Sequence, residues 1–213
     1  MKTSSELKLI DTYLDIKETV IRNGYESEIE WQDNLQLSCL SESGFLRESA
    51  WVILSTGMRE SVIRNVFKEI SSAFLEWESA SSIKKKQKKC ISAALSVFNN
   101  HRKIFSISSV ASKIDEIGFA KLLDHIETDG VNFLKTFDFI GPITCYHLGK
   151  NIGLDVVKPD RHLTRIAETA GFNSAEELCY LISDTTGDRI TVVDIVLWRY
   201  ATLDSNYLSS FIT

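Results

Sequence analysis

Hydrophobic positions recur along this chain at three- and four-residue spacing, the mark of helices that bury one face. Leu7, Ile10, Leu14 and Ile21 share such a face behind a Thr3/Glu6 pair that fits a capping box, and the pattern runs to Gly24. From Tyr25 to Asn34 the period is lost and the stretch reads as a polar loop. It resumes over Phe45–Leu54, breaks at Ser55-Thr56-Gly57, and returns from Arg59 to Trp77 with Val62, Ile63, Val66, Phe67, Ile70 and Phe74 on one side. A serine cluster at 79–82 and a lysine run precede a helix predicted over 90–102. Shorter helices are predicted over 107–114, 119–126 and 131–137. A tight turn at Phe137–Gly141 then feeds a helix with Pro142 in its first turn, where a missing N–H is no loss, and Gly153 as its left-handed stop. Asp160 opens a helix through Ala170, Ser174 caps the next, and 191–202 forms the last. With no alternating strand pattern, internal repeat or low-complexity linker, the expected fold class is all-α.

Composition narrows this only a little. A chain of 213 residues makes one large domain or two small ones, and 44% hydrophobic with 25% charged residues is ordinary for a globular protein. No segment approaches the roughly 20 apolar residues that span a bilayer, and the N-terminus lacks a basic stretch followed by an apolar run. The expectation is a cytoplasmic protein with no membrane partner. Cys39, Cys90, Cys145 and Cys179 are too dispersed for a zinc or iron–sulfur site, so reduced thiols and no metal are expected. The net charge of −5 weighs against nucleic acid as a partner for the whole surface. Local basic groups stand against that: Lys84-Lys-Lys-Gln-Lys-Lys89, and Lys158 with Arg161 and Arg165. The lysine run also fits a merely solvated helix start.

Two segments carry specific chemistry. The first is Phe137-Asp-Phe-Ile-Gly-Pro-Ile-Thr-Cys-Tyr-His-Leu148; the second is Val157-Lys-Pro-Asp-Arg-His-Leu-Thr-Arg-Ile166, with Asp160 nineteen residues after Gly141. Together they resemble the helix-hairpin-helix and Gly/Pro-Asp motif of the DNA glycosylase superfamily that includes endonuclease III and the alkylpurine glycosylases. The resemblance spans roughly 45–200, but only 137–166 is specific. It implies a two-lobed helical fold with a cleft between the lobes. Residues 1–35 would pack with a C-terminal lobe of 151–213, around a central lobe of 36–150. It also implies a monomer acting on double-stranded DNA that holds a modified base, with no iron–sulfur cluster and room for a monovalent cation on the hairpin backbone.

The hairpin would grip the DNA backbone through Phe139, Gly141, Ile143 and Thr144, helped by Lys158 and Arg161. Backbone N–H groups must point at the phosphate while side chains stay clear, which is what glycine allows. The family's hydrophobic-x-Gly-hydrophobic-Gly pattern has Phe139 where its first glycine belongs, a departure that puts a side chain at a crowded position. Asp160 would be the catalytic carboxylate: breaking an N-glycosidic bond leaves positive charge on the sugar, which a carboxylate stabilises while it activates water. Bifunctional relatives place a nucleophilic lysine where this chain has Ile143, so the resemblance implies a monofunctional enzyme that leaves an abasic site. Lys150 and Lys158 are near enough in sequence to substitute as nucleophile, but read first as phosphate contacts or solvated charges. With no obvious general acid, an alkylated purine is the favoured substrate, and oxidised or otherwise modified bases stay open.

An extruded base needs a wedge and a pocket. Trp51–Arg59 resembles the family segment whose loop probes the duplex; Gly57 stands at the probing position, leaving Met58 or Arg59 as wedge. Tyr25, Trp31 and Trp198, with Tyr200, are aromatic candidates for holding the base, cationic alkylated bases above all. Core packing is the plain alternative for each. Asp194 reads as a surface acid, with a second acidic group near the cleft as the alternative, and His147 and His162 as packing or phosphate groups. Two rivals remain: a non-catalytic DNA-binding module using the hairpin alone, and a helical interaction protein in which Asp160 is only a cap.

Overall fold

The computed structural model describes residues 3–212, which are helical with no strand among them. In chain order the helices are α1 (Ser4–Val20), α2 (Glu26–Asn34), α3 (Glu42–Ser55), α4 (Glu60–Ala73), α5 (Ala80–Lys85), α6 (Gln87–Val97) and α7 (His101–Ile117). They continue as α8 (Phe119–Asp129), α9 (Val131–Leu134), α10 (Thr144–Asn151), α11 (Arg161–Thr169), α12 (Ala175–Thr186) and α13 (Ile190–Leu203). No helix among the described residues is long and apolar enough to cross a membrane.

The chain divides into two compact units: unit 1 takes Met1–Gln36 with Gly153–Thr213, and unit 2 is Leu37–Ile152. Their charges differ in sign. Unit 2 holds 15 Lys and Arg against 12 Asp and Glu, a net of +3, while unit 1 holds 9 against 17, a net of −8.

Unit 1 closes its core with residues from both ends of the chain: Tyr13 and Ile16 of α1 with Leu163, Leu178, Ile182, Val193 and Leu197. α1 begins with the capping box its sequence predicts, Glu6 N–H donating to Thr3 Oγ1 and Thr3 N–H to the Glu6 carboxylate. The fully buried Tyr13 donates its hydroxyl to Asp188 at 2.6 Å, and Lys17 pairs with the same carboxylate at 2.7 Å. Burial pushes the Tyr13 phenol far above its ordinary range, so it stays protonated. The stretch 25–34 is not a loop: α2 takes up all of it after Tyr25, and Arg189 donates to the Gln32, Asp33 and Leu35 carbonyls at the C-terminal end of that helix.

Unit 2 corrects three predicted helices; the short one expected over 107–114 is the middle of α7 (His101–Ile117). The one expected over 59–77 stops at Ala73, because Leu75, Glu76 and Trp77 all take positive φ (60°, 49° and 62°). That left-handed turn is held by burying Trp77, which stacks on Phe74 at 5.4 Å and donates Nε1 to Ser71. The helix expected over 90–102 is two, broken at Phe98–Asn100, where Asn100 caps α7 by accepting from Lys103 N–H. The lysine run straddles the junction of α5 and α6.

Glu48 on α3 accepts from Asn151 at 2.9 Å and pairs with Arg47. Burial holds its carboxyl above the ordinary carboxylate range. The folded state therefore binds more protons in that window, and this group's contribution falls as pH rises through it. Glu48→Gln keeps an acceptor for Asn151 without the charge. It is expected to raise Tm at pH 7 by about 2–4 °C and to leave it unchanged near pH 4, as a thermal melt series would read.

Candidate nucleic-acid interface and acidic site

In unit 2 the segment after α9 closes a four-residue turn, Ile140 N–H donating to the Phe137 carbonyl at 3.1 Å. Its third residue, Phe139, has φ +70°, a region ordinarily given to glycine. A side chain there costs about 1–2 kcal/mol. Arg102 and Lys103 lie over the Phe139 ring, 5.2 and 5.7 Å from its centroid, and cation–π attraction offsets part of that cost.

Gly141 does not share this conformation. Its φ is not left-handed, and an added Cβ would meet only Thr144 Oγ1 at 3.8 Å, an ordinary contact. Gly141 N–H donates to Thr144 Oγ1 at 2.6 Å and its carbonyl accepts from Cys145 N–H at 3.0 Å. One i+4 bond thus forms at Gly141, but α10 itself begins at Thr144 with Ile143 as its N-cap, so Pro142 lies in the turn just before the helix and not in its first turn. Ile143 is 43% exposed beside the turn. Lys150, read from sequence as a phosphate contact or a solvated charge, is buried.

The loop after α3 belongs to the same unit. Gly57 takes φ +69° and Met58 and Arg59 are exposed, so both wedge candidates project from a turn. What fixes that turn is Lys103. It is 4% exposed, and its Nζ donates to the Leu54 carbonyl and, at 2.6 Å, to that of Thr56. A single buried cation therefore caps the C-terminus of α3 and lies under Phe139. Burial lowers its pKa.

In unit 1, Asp160 is the N-cap of α11, its Oδ1 accepting from His162 N–H at 2.9 Å and Leu163 N–H at 3.2 Å. Its Oδ2 lies 3.9 Å from Lys158 Nζ. The approach to the cap is anchored by Asp194, which is buried rather than on the surface, and whose Oδ2 accepts from Lys158 N–H at 2.7 Å. His162 points elsewhere, its Nδ1 3.1 Å from the Tyr207 hydroxyl. Burial holds its imidazole below the ordinary value, against the opposing pull of Asp160. Arg161 is exposed and donates Nε to His162.

The aromatic candidates of unit 1 are partly brought together. Tyr25 and Trp198 both lie against the Arg199 guanidinium, 4.2 and 4.8 Å from their ring centroids. Arg199 is itself held by Glu28, at 2.6 Å. A cation already occupies these rings, which disfavours a cationic base stacking there. Trp31 is separate and 44% exposed. Arg199 and Lys103 were not distinguished by sequence, since Glu28, Leu54 and Thr56 lie far away along the chain. No disulfide joins any of the four cysteines, and no group of three or more His, Cys, Asp or Glu among the described residues is placed to hold a metal.

Comparison with family models, curated proteins and solved structures finds no match to this chain.

Proposed function

We propose that this chain is a monofunctional DNA glycosylase of the helix-hairpin-helix type, a two-lobed enzyme that hydrolyses the N-glycosidic bond of a modified base and leaves an abasic site. The observation that carries the reading is the turn at 137–141. It takes a positive φ at the position where the family pattern has glycine, even though phenylalanine stands there. Gly141 follows in the turn that leads into α10, and Asp160, nineteen residues on, caps α11. A unit assembled from both chain ends around an inserted helical unit supports the same architecture. The positive balance of unit 2, which holds the hairpin, supports phosphate binding by that unit.

The chemistry follows from the two oxygens of Asp160. Oδ1 is committed to the helix cap, which fixes the carboxylate; Oδ2 is the atom for the reaction. It stabilises the cationic sugar as the glycosidic electron pair leaves with the base, and it takes the proton of the water that bonds to C1′. An N-alkylated purine carries its own positive charge and departs neutral, so no general acid is required. Base release from duplexes carrying alkylated, oxidised, deaminated and mismatched bases, with and without alkali, tests this. Release with strand breaks only after alkali is expected; binding without release across the panel would leave a DNA-binding module.

Gly141 separates phosphate binding from folding. The turn itself tolerates a Cβ there. Gly141→Ala is therefore expected to change Tm by no more than about 3 °C. Duplex binding should weaken about tenfold, because the methyl group stands where a phosphate must approach the first-turn amides. Unchanged affinity in an anisotropy titration would remove the hairpin from the interface.

A further inference from the structure

Unit 2 has, beside the hairpin turn, a groove along α7 that the hairpin reading does not use. One face of α7 is open along a groove of about 530 Å³, lined by His101, Arg102, Phe105 and Ser109, with Gln87 and Asp138 at its sides. From residue 101 to 112 that face runs about 17 Å. Phe105 is 54% exposed, and its ring stacks on His101 with centroids 6.3 Å apart and planes 18° from parallel. A large aromatic in water among an imidazole, a guanidinium, an amide and hydroxyls is not part of an apolar patch, so it does not suit an apolar protein partner. It suits a planar ring with polar edges. Gln87 donates Nε2 to Ser108 at 3.0 Å, which orients its amide and leaves the carbonyl oxygen to accept from a ligand. Exposed Lys85, Lys86, Lys88 and Lys89 follow the same junction of α5 and α6, while Lys84 is held by Asp115. The charge is that of a polyanion site.

We infer that this groove binds an unpaired stretch of DNA, a base stacking on Phe105 and a phosphate meeting Arg102. Asp138, the carboxylate among the described lining residues, repels a phosphate from its side and accepts from exocyclic amino groups. Cytosine tracts therefore bind more tightly than thymine tracts. The site needs no glycosidic chemistry; a strand opened around an extruded base would supply its ligand.

The test uses the full chain with fluorescent dC and dT octamers at low salt, one dC octamer carrying 2-aminopurine. Wild type is expected to bind dC in preference to dT and to quench 2-aminopurine. Phe105→Ala should weaken dC binding about tenfold and abolish the quench, while Phe105→Tyr retains both. No octamer binding, or equal affinity for wild type and Phe105→Ala, overturns the inference. Base release from a modified duplex, measured in parallel, is expected to survive Phe105→Ala. Octamer binding without any base release counts against the glycosylase reading alone.

Discussion

Asp160→Asn is expected to lower base release about 10²- to 10³-fold with the fold intact. Asparagine is as good an N-cap as aspartate, and its carbonyl oxygen can still accept from the His162 and Leu163 amides, so Tm should scarcely move. What changes is Oδ2, replaced by a neutral donor that neither stabilises a cationic sugar nor takes a proton from water. Asp160→Ala is the useful contrast: it loses the cap as well, about 1 kcal/mol, so stability and activity fall together. Duplex affinity should hold or rise slightly with Asp160→Asn, since the hairpin lies in unit 2 and a negative charge has gone. Asparagine releasing base at the wild-type rate would reduce Asp160 to a cap and move the catalytic role to another group.

Local features of this fold were the readable ones. The helical period, the Thr3/Glu6 box and the caps at Asp160 and Ser174 are set by residues within four positions of each other. The turn at Phe139 was legible as a strained position because only five residues are involved. Features that depend on distant partners were hidden. Helix α2 has six acidic or amide side chains and little apolar period, and its last turn is held by Arg189, more than 150 residues away. Asp194 looks like a surface acid in sequence until the Lys158 amide, 36 residues back, is placed against it. The break at Phe98–Asn100 was passed over because the apolar spacing continues through it, and only the Asn100 cap marks a new start.

Lys103 is the largest case of a hidden partner, and its removal is the second large effect. In sequence it is the last cation of His101-Arg-Lys, an ordinary helix-start lysine. In the fold it is nearly inaccessible and donates to two carbonyls 49 and 47 residues back. Lys103→Met keeps the aliphatic stem and removes the donor, leaving the Leu54 and Thr56 carbonyls short of a partner. Stability should fall by about 2–3 kcal/mol, a Tm drop of about 5–10 °C at pH 7. The pH dependence distinguishes this from a simple packing loss. Burial depresses the Lys103 pKa, so between its folded and ordinary values the unfolded state binds more protons, and wild-type stability rises with pH through that window. Methionine has no such term, so the gap between the two proteins should widen toward alkaline pH. Lys113, also depressed by burial, is common to both and cancels in the difference. The same substitution frees the Thr56–Arg59 turn and removes one of two cations from the Phe139 ring, so duplex affinity should weaken several-fold alongside stability. Equal melting temperatures for wild type and Lys103→Met across pH 7 to 10 would mean that this lysine neither caps α3 nor fixes the turn.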